Sequence, residues 1–382
     1  MADFVVDLRQ LKMFGDQLVR LSGGGTINNG VTYAYNYCER WLSPAGERVG
    51  LFWTFATTAD QVMESILDRL VHLRNLLECS GIEIQALTRY YDANEDGVVD
   101  SFEQAAAAMD DRSFTTWESS PEYKPDGTVA HYGVRPEIVL QYPKNTQPIP
   151  DLVEYIFADH GLLKTGNIYP LLHKAIELIW VDWCGNPTNP LDELLQNISG
   201  DWDKVSLSSE ALSHLATYHH QMALHVEAAT TLVRETWSGN SSDAANAYFD
   251  KLCAALDEMV PALQSVSSDY NKVAFGMWME AQGIAGLIPS IILTGQLIAA
   301  TAAIGTATAA TGVGAVLSAI GIAAEAIAFV NMLLQAYNAL CAMISFINVF
   351  VGACAAFTGA THSLDTIRNV GGVDVPYDNP FA

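Results

Sequence analysis

Two series of apolar side chains, separated by one short break, constrain the fold of this chain more than any other feature. Within residues 206–268 the apolar positions recur at intervals of three and four, the spacing of a helix that buries a single seam. The first series comprises Leu212, Leu215, His219, Met222, Val226, Ala229 and Val233, and the second comprises Ala245, Phe249, Leu252, Leu256, Met259, Leu263 and Val266. The pattern predicts an antiparallel helical hairpin. For the whole chain it predicts an all-α fold, a bundle of helical hairpins that ends in an apolar one.

The break between the two series carries the signals of a helix end followed by a helix start. Trp237 and Gly239 form a Trp-Ser-Gly turn, and a glycine can adopt the left-handed conformation that terminates a helix. Asn240 or Ser241 can then cap the second helix, with Asp243 in its first turn. The sequence therefore predicts that the chain reverses direction at Gly239.

The segment 283–359 is almost without charge. Its one ionisable carboxylate is Glu325, and it contains no lysine or arginine. Pro289 and several glycines are expected to divide it into two or three helices, each near the roughly 20 residues that cross a bilayer. Pro261, further upstream, is expected to kink the second hairpin helix or to mark its frayed end. We predict that the segment is membrane-active; the alternative is that it forms the buried core of a soluble bundle.

Polar side chains within this segment share one narrow helical face. They are Asn331, Gln335, Asn338, Ser345 and Asn348. A stripe that faces water in a soluble protein normally includes charged residues, whereas this one holds only amides and a hydroxyl. Such groups are typical of helices that pair within a membrane or line a wet interior.

Composition divides the rest of the chain. A long helix is predicted from Thr57, with Thr58 and Gln61 as a capping box, and prolines and glycines accumulate between Asp110 and Pro150. The predicted units are an N-terminal helical unit at 1–110, an irregular linker at 111–150, a hairpin domain at 151–282, the apolar helices at 283–360 and a tail at 361–382.

Charge and motif content exclude several functions. The chain has 43 acidic and 19 basic residues, a net charge of −24, which opposes binding to nucleic acid. Its first residues lack the pattern of a secretory signal peptide, so export would need another route. Nucleophile, phosphate-binding and zinc-protease signatures are absent, and His214, His219, His220 and His225 lack the spacing of metal ligands on a helix. The sequence predicts a protein that is not an enzyme.

The hairpin resembles the WXG-type, ESAT-six-like family of type VII secretion substrates, and in particular its larger actinobacterial members. Beyond Trp237 and Gly239, the likeness rests on Gly200-Asp201-Trp202, Ala244-Ala245, Tyr248-Phe249-Asp250 and the apolar segment that follows. The N-terminal region, where the corresponding turn reads Phe52-Trp53-Thr54-Phe55, resembles the family less closely. The resemblance implies an all-helical protein that reaches the cell envelope or beyond without a cleaved signal. It implies a secretion ATPase or a WXG-type protein as partner, with lipid or a second copy as further candidates.

Two short motifs overlap after the first long helix. Tyr91 and Glu95 match the Tyr-x-x-x-Asp/Glu export signal that the resemblance implies, and their spacing places both on one helical face. The second motif is a calcium-loop pattern made of Asp92, Asn94, Asp96, Val98 (through its carbonyl), Asp100 and Glu103. No second loop accompanies it, so Ca²⁺ is a predicted cofactor of a solitary site. A soluble calcium-binding scaffold is therefore the alternative function.

Overall fold

The computed structural model describes residues 6–23, 26–39, 50–95, 135–145, 147–158, 197–238, 240–308 and 313–360. Within these ranges the chain is helical and contains no β-strand, which confirms the predicted all-α class. The α-helices are α1 (Leu8–Ser22), α2 (Thr26–Ala34), α3 (Gly50–Glu95), α4 (Leu152–Ala158), α5 (Trp202–Arg234), α6 (Asn240–Thr308) and α7 (Val313–Ala360). A turn of π-helix covers Tyr35–Glu39, and a 3₁₀ turn covers Pro136–Val139.

The predicted hairpin is formed by α5 and α6, which confirms the antiparallel arrangement. Ser209 and Ser267 fix its register, because each hydroxyl donates to the backbone carbonyl of the other residue at 2.7 Å. Nearer the turn, the Cys253 thiol contacts the Ala223 carbonyl at 3.8 Å. The predicted apolar series are the buried faces of the two helices.

The second hairpin helix is much longer than predicted. α6 continues through Pro261 and Pro289 to Thr308, so neither proline ends it and no helix boundary coincides with residue 283. A proline inside a helix removes one backbone hydrogen bond and costs roughly 3 kcal/mol. The buried seam continues on both sides of each proline, and burial of about 1.5–3 kcal/mol per large apolar side chain offsets that cost.

α3 begins at Gly50, earlier than the predicted start at Thr57. The Thr58 hydroxyl donates to the Thr54 carbonyl at 3.0 Å from within the helix, so the predicted capping box is wrong. The stretch interpreted as a turn is also helical. Phe52 and Phe55 are fully buried there, and their rings lie 5.2 and 6.0 Å from that of Trp202. Tertiary packing of the two rings explains why the helix extends so far back.

The N-terminal helix α1 packs closely against α3. The Asp7 carboxylate caps α1 by accepting hydrogen bonds from two backbone amides in its first turn. A side chain at Gly81 would come within 2.9 Å of the Gly15 carbonyl and collide with Val19, so the crossing requires small residues. The Phe14 ring lies 4.8 Å from that of Phe249, which joins α1 to the central hairpin.

The last helix, α7, runs antiparallel to α6 and returns to the bundle. The rings of Phe350 and Tyr270 lie 5.1 Å apart, and Phe350 lies 4.6 Å from Phe55 of α3. The buried Arg69 guanidinium is 5.6 Å from the centre of the Phe357 ring, a cation–π contact. The buried residues from α1 to the end of α7 form one continuous apolar cluster.

Gly200, which precedes α5, is expected to be irreplaceable. Its φ angle is +150°, and a Cβ there would overlap the Phe52 ring. We expect Gly200→Ala to lower the free energy of unfolding by about 2–3 kcal/mol because it combines strain with overpacking. Gly286→Ala is the control: the added Cβ meets nothing within 4 Å, so improved helix propensity should raise stability by up to about 1 kcal/mol. Urea unfolding measures both, and equal effects would contradict the prediction.

Candidate functional site

The most unusual part of the structure is a two-helix extension that projects from the bundle. The Ser209–Ser267 contact sets the register of the hairpin and places Trp202, the first residue of α5, beside Ala274 of α6. Beyond Ala274, α6 therefore has no α5 residue beside it. Gly276 marks the base of the extension, because a Cβ there would lie 2.8 Å from the Phe346 ring. We define the distal arm as residues 283–308 of α6 and 313–345 of α7.

Each helix of the distal arm buries one seam. Along α6 the buried apolar residues are Ile284, Ile288, Ile291 and Ile298, and along α7 they are Ala326, Phe329, Leu333, Ala336, Leu340 and Met343. The alternating steps of three and four are those of two helices that pack side by side along their length. With 26 residues from α6, the arm is about 40 Å long, against about 30 Å for the hydrocarbon core of a bilayer.

Where side chains of the distal arm are described, its outer surface is predominantly apolar and none of its exposed residues is charged. Leu293 is 67% exposed and Ile327 is 64% exposed. In the most apolar stretches of α6 and α7, only 33% and 28% of the residues are buried within this chain. By length and composition, both helices could cross a membrane. A helical pair that stays in water normally carries charges on its outer face, and here the sequence supplies only Glu325.

The five polar residues of the predicted stripe lie on the exposed side of α7, four of them in the distal arm and Asn348 just beyond it. Asn331, Gln335, Asn338, Ser345 and Asn348 are all exposed, and they face away from the seam with α6. These side chains therefore do not pair with α6 across the seam. The stripe is instead presented to whatever surrounds α7.

The Trp-Ser-Gly turn is structural in this fold. Trp237 is 3% exposed and pairs with Val6, just before α1. The Asp7 amide donates to the Thr236 carbonyl at 2.9 Å, and the Ser242 hydroxyl donates to the Trp237 carbonyl at 2.8 Å. The segment before α1 therefore pairs with the hairpin turn, and the indole ring is buried. Gly239, with its predicted left-handed conformation, lies outside the described residues.

The overlapping export and calcium motifs lie at the end of α3. Tyr91 is half-buried beside Tyr90, with the two rings 5.8 Å apart, and the helix backbone continues to Glu95. Of the predicted calcium ligands, Asp92 is exposed and Asn94 is on the same helical turn. The other four ligands, Asp96, Val98, Asp100 and Glu103, lie outside the described residues. Within the described part of the chain no three acidic, histidine or cysteine side chains form a metal-binding group, and calcium binding stays a prediction.

The four histidines of α5 occupy different environments. His214 lies 2.8 Å from the Tyr33 hydroxyl, and His220 lies 3.3 Å from the Asp257 carboxylate at the surface. His219 and His225 are buried. Neither ring nitrogen of His219 has a hydrogen-bond partner among the described residues. Burial, and then the nearby Arg69 charge, lowers the pKa of His219 to about 4, so its imidazole is neutral in the folded protein near pH 7.

Sequence reasoning missed two features of α6 and α7. It did not find the exposed apolar positions, because heptad spacing alone does not reveal how many partners a helix has. It also passed over Gly352, which lies seven residues after Ser345 and continues the polar row on α7. That interval was available in the sequence as a signal.

Comparisons of this chain with protein-family models, curated proteins and solved structures found no match. The distal arm and the buried turn therefore carry the functional argument.

We expect acid to destabilise the fold through His219. The pKa of His219 is 6.5 in the unfolded chain and about 4 in the folded one, so the unfolded chain binds the proton first as pH falls. The neutral, buried imidazole therefore contributes its full stability above about pH 6.5. That contribution, about 3 kcal/mol, is lost as pH falls toward 4. His219→Leu should therefore lose less stability between pH 7 and 4 than the wild type. Urea unfolding at a series of pH values measures this. His220→Leu, at the surface, is the matched substitution, and equal slopes for His219→Leu and the wild type would contradict the assignment.

Proposed function

We propose that this chain is a non-enzymatic protein that inserts its distal arm into a membrane, while the bundle of α1, α3 and α5 stays at the surface. The observation that carries the proposal is the apolar, nearly uncharged outer surface of a helical pair about 40 Å long. A monomer in water would expose this surface without compensation, whereas a bilayer would cover it. The hydrophobic effect is the driving force of insertion.

The secondary structure of the distal arm suits a hydrocarbon environment. Inside a bilayer, backbone amides and carbonyls must be satisfied within the protein, and helices meet that requirement. The principal cost is Glu325, which is half-buried and lies about 18 Å from the start of α7, near the middle of the arm, where an ionisable side chain is expensive in hydrocarbon. The net charge of −24 opposes binding to anionic lipid, so a zwitterionic membrane is the preferred target.

The same proposal includes a route of delivery, type VII secretion, with a secretion ATPase or a WXG-type protein as partner. Two features support it: the antiparallel hairpin with Trp237 at its turn, and Tyr91 with Glu95 at the end of α3. Since Trp237 is buried, the half-buried Tyr91 is the better candidate for a contact with the secretion machinery. The chain would then reach the cell envelope or beyond and act there through lipid and protein contacts.

Membrane insertion predicts the effect of charges on the distal arm. Leu293→Glu combined with Leu297→Glu should lower flotation with phosphatidylcholine vesicles at least tenfold, because each carboxylate costs roughly 2.5–3.5 kcal/mol near the bilayer centre. Both leucines are at least 49% exposed, so stability in solution should not change.

Leu224→Glu is the matched control for this experiment, because Leu224 is a 39% exposed leucine on α5, in the bundle. It should float like the wild type. Equal flotation of the arm variant and the wild type would exclude insertion of the arm. A wild type that remains in the aqueous phase would favour the soluble scaffold.

Type VII export predicts a difference between two adjacent tyrosines. Tyr91→Ala should abolish release into the medium of the native cell, because it removes the aromatic group of the export signal, and Tyr90→Ala should not. Both side chains are half-buried at the end of α3, and because Tyr91 also packs against the core cluster, urea unfolding of both variants separates loss of packing from loss of the signal. Immunoblots of medium and cell lysate measure the released fraction. Equal release of the two variants would exclude this signal.

A further inference from the structure

Four residues on the outer face of α7 form a row with an interval of seven. Asn331, Asn338, Ser345 and Gly352 are all exposed. Seven residues are close to two helical turns, so the four positions point in nearly the same direction. Each lies two residues from a buried seam position, about 200° around the helix, and the row therefore runs along the side opposite α6. We call these four residues the outer row.

Gly352 extends the outer row beyond the distal arm, to the level at which Phe350 packs on Tyr270. A Cβ at this position would meet nothing within 4 Å, so packing within the described chain does not require a glycine. A glycine in a helix nevertheless costs about 1 kcal/mol relative to alanine. Gly283 and Gly286 on α6 are equally open, so Gly352 is compatible with the close approach of a further helix and the polar side chains of the row carry the argument.

The chemistry of the outer row indicates what kind of helix that is. Two amides lie in the row, and Gln335 and Asn348 flank it on either side. An amide both donates and accepts hydrogen bonds, so a face of this kind is complementary to itself. It offers no charge to a charged partner. In hydrocarbon, a polar group without a partner costs free energy, whereas amides paired between helices stabilise association by about 1 kcal/mol each.

We propose that two copies of this chain pair in the membrane through the outer rows of their α7 helices. This inference rests on the proposed insertion of the distal arm. Copies that insert from one side keep their bundles on that side, so the two α7 helices run in the same direction. In a parallel pair related by a twofold axis, each outer-row residue faces its own counterpart. The seven-residue interval is the one that keeps such a contact aligned along two helices.

Cysteine cross-linking tests the pairing. In a chain with the exposed Cys79 and Cys341 replaced by serine, Asn331→Cys, Asn338→Cys and Ser345→Cys are prepared separately and reconstituted in phosphatidylcholine vesicles. After mild oxidation, each should form disulfide-linked dimers at least fivefold more efficiently than Tyr337→Cys. Tyr337 is the matched control because it is 41% exposed on the same helix but lies about 100° away from Asn338. The serine background without an added cysteine supplies the blank.

A second set of variants tests whether the amides hold the pair together. Asn331→Leu with Asn338→Leu should float with vesicles as well as the parent chain does, because the change makes the outer surface more apolar. It should also lower cross-linking through Ser345→Cys at least fivefold, since it removes two amide pairs of about 1 kcal/mol each. Unchanged cross-linking would overturn the role of the amides.

Flotation of the same samples separates failure of this inference from failure of the proposed function. If the parent chain does not float, insertion is excluded and the pairing falls with it. If it floats and Tyr337→Cys cross-links as well as the outer-row variants, insertion stands and pairing through the outer row is overturned. Floating samples in which no outer-row variant forms dimers overturn it equally.

Discussion

The structure depends on one apolar seam that runs along α6 from the hairpin turn into the distal arm. Near the turn the seam packs against α5, and beyond Ala274 it packs against α7. Its repeat shifts by one residue between Met277 and Ala281, where two steps of four follow each other. Such a shift locally unwinds a coiled coil, and it lies where α6 exchanges one partner for the other. A single helix thereby links a charged bundle to an uncharged arm.

The two halves of the molecule satisfy their apolar surfaces in different ways. In the bundle, α6 is surrounded: Phe249 meets α1, and Tyr270 meets Phe55 and Phe350 in one aromatic cluster. In the part of the distal arm whose side chains are described, the seam between the two helices is buried, and leucine and isoleucine side chains remain outside. Apolar area that would be buried in the bundle therefore remains exposed to water in the arm. Insertion in lipid and pairing through the outer row would complete its burial.

The turn shows how tertiary contacts change the meaning of a motif. Trp237 and Gly239 were the basis of the family resemblance, which implies contacts with a secretion partner. In this fold the indole is buried, and the segment before α1 pairs with the backbone of the turn. Any recognition by a secretion machinery then passes to other exposed groups, of which the end of α3 is the proposed one. The outer face of α7 is important for the opposite reason, because no residue that the structure describes covers it.

The sequence by itself determined the helical class, the position of the hairpin and the identity of its buried residues, because three-and-four spacing is a local property that any partner would satisfy. It also determined that the apolar segment carries almost no charge. Only the tertiary structure decided how far each helix runs. α3 starts early because Phe52 and Phe55 pack on Trp202, and α6 passes Pro261 and Pro289 because its seam remains buried beyond them. Only the tertiary structure decided which faces stay uncovered. Exposure depends on how many helices surround a given helix, and the spacing of apolar residues within one helix does not reveal how many neighbours it has.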